Sequence, residues 1–229
     1  MSGLATVSIV VPTLNEAIRI EPCLQRLRDD FPSCELIVVD GGSADDTADR
    51  AARLARTIRS AAGRATQMNA GAAATSGDIL WFIHADCQVP PDALDLLRHA
   101  LLDPGVVGGG LRLSFDQRSP GLDYLAASSN VRARRLNWIF GDQAMFMRRE
   151  VFEAVGGFPQ LPLMEDLEMS RILRRRGARR LVEQGVWRMT VLMQVLKVQY
   201  LLGVDPERIR RRYETGTRRG RRRRPAPTG

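Results

Sequence analysis

The run Gly77-Asp78-Ile79-Leu80-Trp81-Phe82-Ile83-His84-Ala85-Asp86 constrains this chain more than any other stretch, because its apolar residues follow one another without alternation and stop on a carboxylate. A strand of that composition must be covered on both faces, which is the condition of a strand inside an α/β sheet. Ligands of such sheets gather beyond the strands' carboxyl ends. His84 and Asp86 fall there. A carboxylate in that position suits a hard cation, and a cation suits phosphates. Asp86 reads equally well as the cap of the helix that follows Pro90-Pro91.

The preceding residues repeat one plan. Val7-Ser8-Ile9-Val10-Val11 is β-branched and stops at Pro12, after which Asn15-Glu16 open a helical pattern running to about Asp30. Glu35-Leu36-Ile37-Val38-Val39 ends on Asp40-Gly41-Gly42-Ser43 before a helix near Asp45 and Asp46. A third strand, Thr57-Ile58-Arg59, leads to Gly63 and a helix through Gln67, Met68 and Asn69 to Ala74. Strands alternating with helices predict a mostly parallel, doubly wound α/β sheet, with Pro12, Asp40 and Asp86 on one rim. No Gly-x-Gly-x-x-Gly follows the first strand and no phosphate loop ends in Gly-Lys-Ser/Thr, which removes the dinucleotide and P-loop readings. The acids offer another use of the rim: Glu16 and Asp40 for a base and ribose, Asp86 for a metal diphosphate. Acids in a helix's first turn also favour its dipole without any ligand, so Glu16 and Asp45 carry both readings.

In the second half, Val106 to Leu113 reads as a strand whose glycines, Gly108 to Gly110, let the backbone approach either a ligand or a neighbouring strand. A helix from Gly121 to Leu136 is followed by Gly141-Asp142-Gln143 and the strand Ala144 to Met147. Val151 to Val155 form a short helix that stops at Gly156-Gly157, and Glu165-Asp166 start another, Leu167 to Arg176, whose positive dipole end favours a carboxylate. Val186 to Leu202 is helical by composition and apolar on two flanks, one for the chain's own body and one for a second subunit or a membrane surface. Asp205-Pro206-Glu207 cap a last short helix.

With 229 residues, 44% of them hydrophobic, the chain can bury one sizeable core. Residues 1–204 are expected to form one domain of two halves, at about 6–104 and about 105–204. The net charge of +8 points to nucleic acid until it is located: residues 205–229 hold ten Arg against three acids, and the body is close to neutral. Such a tail suits nonspecific contact with anionic lipid or RNA, or only solubilises the chain, and no specific nucleic acid is expected. Three cysteines without Cys-x-x-Cys spacing indicate neither a disulfide framework nor a zinc site, which fits a reducing cytoplasm. The first residues lack the regions of a signal peptide, and Arg188, Gln194 and Lys197 interrupt the longest apolar segment too often for a membrane span.

Several stretches in order resemble the family 2 glycosyltransferases: Pro12-Thr13-Leu14-Asn15-Glu16, Asp40-Gly41-Gly42-Ser43-Ala44-Asp45, Gly63-Arg64-Ala65-Thr66-Gln67-Met68-Asn69-Ala70-Gly71, Ile83-His84-Ala85-Asp86, Gly141-Asp142-Gln143 and Leu163-Met164-Glu165-Asp166. Within that family the chain is similar to the bacterial subgroup of selenodomain-associated or arsenosugar-biosynthesis transferases. The resemblance implies a GT-A fold, a nucleoside-diphosphate sugar as donor, a divalent metal (Mn²⁺ or Mg²⁺) and inversion at the anomeric carbon. It implies that Pro12, Asn15, Glu16, Asp40, Gly41, Gly42, Asp45, Gly63, Arg64, Gln67, Asn69, His84, Ala85 and Asp86 bind the nucleotide sugar, with Asp86 meeting the metal. By the same resemblance Gly141, Asp142 and Gln143 lie near the sugar or acceptor, Asp166 is the general base, and Glu165 orients the acceptor or the helix start. The acceptor it implies is a small or lipid-linked hydroxyl compound, at the cytoplasmic side of a membrane or free.

Two departures stand out. The family's metal motif is Asp-x-Asp, and here it is His84-Ala85-Asp86, which leaves His84 as an imidazole ligand, a phosphate donor or a structural residue. Family members also carry a strand and loop where this sequence runs from Gly177 straight into Ala178-Arg179-Arg180. Either that element is absent or a stretch of chain is missing at 177/178, and omission is the expectation.

Overall fold

The structure, a computed structural model, describes residues 4–114, 120–136, 138–139, 143–175 and 180–188. Among the described residues seven strands form one sheet in the order β3-β2-β1-β4-β6-β5-β7. These are β1 (Val7–Thr13), β2 (Glu35–Asp40), β3 (Arg56–Arg59), β4 (Ile79–Phe82), β5 (Val106–Ser114), β6 (Phe146–Arg148) and β7 (Arg180–Arg188). The helices between them are α1 (Ile20–Asp30), α2 (Thr47–Ala52), α3 (Arg64–Ala73), α4 (Ala93–Ala100), α5 (Pro120–Leu136), α6 (Arg149–Val155) and α7 (Glu165–Arg175). Strands β1 to β4 pair in parallel, β6 runs antiparallel to both β4 and β5, and β7 is parallel to β5. The expected mixed, mostly parallel α/β sheet is therefore the architecture found.

The period of two along each strand divides the interior into two cores. Ile9, Val11, Val38, Trp81 and Phe146 face α1, α2 and α4, while Val10, Ile37, Val39, Leu80, Phe82 and Met147 face α3, α6 and α7. Helix α3 lies close on the sheet because Gly71 carries no side chain: a Cβ there would stand 2.3 Å from Val10 Cγ1. On the same side Phe82, Phe152 and Phe158 form a cluster with centroids 4.9 to 5.6 Å apart. Each such pair adds about 0.5–1.5 kcal/mol to what burial supplies, so α6 and the chain after it are anchored on β4.

The glycines of β5 serve the sheet. A Cβ on Gly108 would meet Phe146 O at 2.4 Å, and one on Gly110 would meet Ile139 and Gln143, so a neighbouring strand and loop claim the space that a ligand was also a candidate for.

Several boundaries differ from expectation: β1 runs through Pro12 to Thr13, β6 is Phe146–Arg148 and α6 starts at Arg149, and four further shifts have a visible cause or consequence. Helix α1 begins at Ile20 and not beside Glu16, because Asn15 N donates to Ser43 Oγ at 2.9 Å and Glu16 N to Thr47 Oγ1 at 2.8 Å, tying residues 15–16 to the loop after β2. Asn15 accordingly takes a left-handed φ of 56°, which a helix cannot continue. Strand β4 ends at Phe82, with His84 in the loop and Asp86 in a turn beyond it. Helix α7 starts at Glu165, two residues early. Val186 to Arg188 belong to β7, where a ladder with Arg112, Leu113 and Ser114 overrides a helical composition. The remainder of the helix expected at 186–202, the cap at 205–207, the tail and the 177/178 junction lie outside the described residues. Among the described residues no helix is long and apolar enough to cross a membrane.

Candidate active site

The parallel strands bring their carboxyl ends to one rim. Pro12 pairs with Val39 and Thr13 with Asp40, and the chain after Phe82 leaves β4 beside Val10. Helix α4 begins at Ala93, well past Asp86, so the capping role that Asp86 was a candidate for is not the one it has. Asp86 is exposed on the rim.

Asp40, by contrast, is 1% exposed and turned into its own loop. Its Oδ2 accepts from Gly42 N at 3.0 Å and Ser43 N at 3.1 Å, and Oδ1 accepts from the Ser43 hydroxyl. Gly42 makes this turn possible with a φ of 85°. Asn15 joins the same loop, its Oδ1 accepting from Ala44 N at 2.9 Å. Asp45 Oδ1 accepts from Thr47 N, the first residue of α2, at 3.1 Å. Glu16 pairs with Arg19 at 2.9 Å.

Two residues expected at the nucleotide sugar hold the frame of the rim. Gln67 Nε2 donates to Thr13 O at 2.8 Å and Val39 O at 2.9 Å, bridging the last carbonyl of β1 and the last but one of β2. Gly41 leaves room for that amide, since a Cβ would stand 2.9 Å from Gln67 Cδ. Asn69 accepts from Phe158 N at 2.8 Å and donates to Phe158 O at 2.9 Å. Gly63, with a φ of 138°, turns the chain into α3 and sets Arg64 at that helix's start.

Arg64 connects the two halves. Its Nη2 lies 2.6 Å from His84 Nε2, and its Nε lies 3.1 Å from Oε1 of Glu165, a carboxylate that is 1% exposed. Burial pushes the His84 pKa well below its usual value and the nearby Arg64 adds to the effect, so the imidazole is neutral. Burial raises Glu165 to about 7; Arg64 opposes this and Asp166 adds to it. Asp166 is 5% exposed and its Oδ1 accepts from Leu167 N at 2.6 Å, an amide of the first turn of α7. The residue before the pair, Met164, has a φ of 68°, a conformation a methionine adopts only when its surroundings hold it.

Trp138 and Ile139 meet α7 one turn on. Ser170 accepts from Ile139 N at 3.1 Å and donates to Ile139 O at 2.8 Å, and Arg171 lies 5.2 Å from the centroid of the Trp138 ring. Gln143 is buried and donates to Leu111 O at 3.2 Å. Gly141 and Asp142 lie outside the described residues.

No group of three or more His, Cys, Asp and Glu side chains arranged for a metal occurs among the described residues. An exposed carboxylate still suits Mg²⁺ or Mn²⁺ of the kind held by one carboxylate, water and substrate phosphates. His84 does not extend that ligand set here, because its Nε2 faces a guanidinium.

One rim residue had no warning beyond being polar at the end of an apolar strand. Thr13 is 2% exposed, opposite Asp40, and its Oγ1 has no hydrogen-bond partner among the described residues.

Residues 8–156 match the profile of Glycosyl transferase family 2. The chain belongs to glycosyl transferase family 2. Family relatives include glycosyltransferase AglE of Haloferax volcanii, 26% identical over 69% of this chain and 57% of that protein. Succinoglycan biosynthesis protein ExoA of Rhizobium meliloti is 29% identical over 75% and 58% respectively. The chain thus spans less than two thirds of the length of these relatives. Among solved structures, glucosyl-3-phosphoglycerate synthase from Mycobacterium tuberculosis, in complex with Mn²⁺, uridine diphosphate and glucosyl-3-phosphoglycerate, superposes with a TM-score of 0.62 at 26% identity over 83% of this chain and 75% of that one. The mannosyltransferase PcManGT from Pyrobaculum calidifontis, in complex with GDP-Man and Mn²⁺, has a TM-score of 0.66 at 24% identity over 87% and 63%, a likeness of fold. The family 2 chain described here therefore has the GT-A type of architecture.

Proposed function

We propose that the protein is an inverting glycosyltransferase of the selenodomain-associated or arsenosugar-biosynthesis type, moving a sugar from a nucleoside-diphosphate sugar to a hydroxyl acceptor with Asp166 as general base. The observation that carries the reading is Arg64, which joins His84, beyond the end of β4, to Glu165, beside Asp166. Residues remote in sequence thereby meet beside the acid pair. Relatives of this fold bound to GDP-Man or uridine diphosphate with Mn²⁺ support a donor of that class.

In the proposed reaction the acceptor oxygen forms its bond to the anomeric carbon as the bond from that carbon to the diphosphate oxygen breaks. The electron pair leaves with the nucleoside diphosphate, and the hydroxyl proton passes to the Asp166 carboxylate. Asp86 is the side chain that would hold a divalent cation together with the donor's phosphates, and the bound cation would supply positive charge for the departing diphosphate. Glu16 and the turn at Gly41-Gly42, which Asp40 holds through Gly42 N and Ser43 N, stand at the rim proposed for base and ribose. The buried Thr13 hydroxyl is one more polar group available there.

The test is release of nucleoside diphosphate from UDP- and GDP-sugars with Mn²⁺, with calorimetric binding in parallel. Asp166→Asn is expected to keep donor binding and to lower transfer by about 10²–10⁴-fold, the scale of general-base catalysis. Transfer preserved in that variant moves the base elsewhere. Binding without release by the unaltered protein makes it a nucleotide-sugar-binding module.

A further inference from the structure

Helix α3 meets the chain that leads into the acid pair at three of its residues. Asn69 binds both backbone groups of Phe158, accepting from N at 2.8 Å and donating to O at 2.9 Å. Thr66 Oγ1 donates to Gln160 Oε1 at 2.7 Å, and Arg64 Nε lies 3.1 Å from Glu165 Oε1. Followed from its end to its start, α3 meets residues 158 to 165 in forward order, so helix and segment run antiparallel.

Chain length does not by itself fix the path of that segment. The seven peptide steps from Phe158 to Glu165 can reach about 23–25 Å when extended, whereas Asn69 and Arg64 stand about 7.5 Å apart along the helix axis. The segment is slack, and what it binds sets its course. The Phe158 ring holds the start in the cluster with Phe82 and Phe152. Its backbone still needs partners, because Phe158 is 2% exposed and a buried N–H or C=O left without one costs more than the bond itself contributes. The Asn69 amide supplies both, and Gly157 leaves it room, since a Cβ there would stand 2.7 Å from Asn69 Oδ1. At the other end Met164 is buried with a left-handed φ of 68°, so the way the segment is held decides where the peptide of Glu165 points.

We propose that Asn69 and Thr66 are positioning residues for the acid pair. They hold residues 158–164 along α3 and so set Glu165 and Asp166 at the start of α7, and the polar atoms of Asn69 serve this segment and not the nucleotide sugar. The catalytic consequence rests on the proposed glycosyltransferase function, whereas the clamp does not. Leucine has nearly the branched shape of asparagine and no polar atoms. With Asn69→Leu, Phe158 N and O face methyl groups where the amide stood, no space opens for water, and they regain partners only if the backbone shifts. A slack segment passes that shift on to Glu165 and Asp166, while the turn at Gly41-Gly42 keeps its own bonds to Asp40.

The experiment compares Asn69→Leu and Thr66→Val with the unaltered protein. Hydrogen exchange read by mass spectrometry on peptides covering 157–168 and 35–42 tests the clamp without turnover. In Asn69→Leu, exchange over 157–168 is expected to quicken at least about tenfold more than over 35–42; in Thr66→Val, which loses one exposed bond, about two- to tenfold more. Quickening shared equally by the two peptides is a plain loss of stability and overturns the proposal; where Asn69→Leu does not fold, Thr66→Val decides by the same comparison. Calorimetry with Mn²⁺ and UDP or GDP, and nucleoside diphosphate release from the corresponding sugars, read the site. Both variants are expected to bind nucleotide within about twofold of the parent. Asn69→Leu is expected to lower kcat at least about tenfold, since a misplacement of about 1 Å can cost about 10²-fold. Nucleotide affinity lost in Asn69→Leu gives the amide to the donor, and an unchanged kcat detaches the segment from catalysis; either result overturns the proposal. Where the unaltered protein itself releases no diphosphate, the glycosyltransferase reading fails on its own, and the exchange comparison still supports or overturns the positioning of the acid pair.

Discussion

Asn69 grips Phe158 by both ends of its side-chain amide, accepting from N at 2.8 Å and donating to O at 2.9 Å across 89 residues of chain. The clamp has a tight fit behind it, because a Cβ on Gly157 would stand 2.7 Å from Asn69 Oδ1. Asn69→Ala removes both bonds and is expected to destabilise the fold by about 1–3 kcal/mol. Denaturant unfolding measures this; a change under about 0.5 kcal/mol, the level of an ordinary surface substitution, contradicts the clamp.

Gln67 does for the strand ends what Asn69 does for the loop. Gln67→Ala removes two buried hydrogen bonds, one to Val39 O and one to Thr13 O, which keeps its bond from Gly41 N, at a cost of about 1–3 kcal/mol. Gly41→Ala should act on the same contact by forcing the amide away, so the double variant should fall short of the sum of the two. Urea midpoints of the three proteins decide it.

Asp86 is the carboxylate on which cation binding is proposed to depend. Asp86→Asn keeps the size of the side chain and is expected to weaken Mn²⁺ binding in the presence of nucleoside diphosphate by at least about tenfold, with the fold intact. Calorimetry reads the affinity and circular dichroism the fold. An unchanged Mn²⁺ dependence would remove Asp86 from the site.

Glu165 gives stability a pH dependence whose sign follows from its environment. Burial, reinforced by Asp166, raises its pKa to about 7 against an ordinary 4.5, while Arg64 works the other way. The folded chain therefore holds a proton that the unfolded chain has released between those values, and the contribution of Glu165 falls as pH rises through that window. Glu165→Gln cannot release the proton. Melting temperatures at pH 5 and pH 8 should differ less in the variant than in the parent, and an equal difference sinks the assignment.

The strands and most helices were legible because each obeys a local rule: β-branched runs such as Val7 to Val11, a run stopped at Asp40-Gly41, and a glycine stop after α6 at Gly156. Local rules failed where a distant partner decided. Asn15 and Glu16 look like a helix start, yet their backbone N–H groups bond to Ser43 and Thr47 on another loop. Gln67 and Asn69 stand in stretches that resemble binding motifs, and nothing local reveals that backbone carbonyls of other elements occupy their amides.

Sequence alone determined the order of elements, the common rim of the parallel strands and the family, since periodicity and motif order are written along the chain. Tertiary structure decided what the rim's side chains do. Arg64, His84 and Glu165 meet across 20 and 101 positions, and only the packing of α3 and α7 on the same face of the sheet brings them within reach. Hydrogen bonds and buried charge depend on distances of a few ångströms, and spacing along a chain does not encode those.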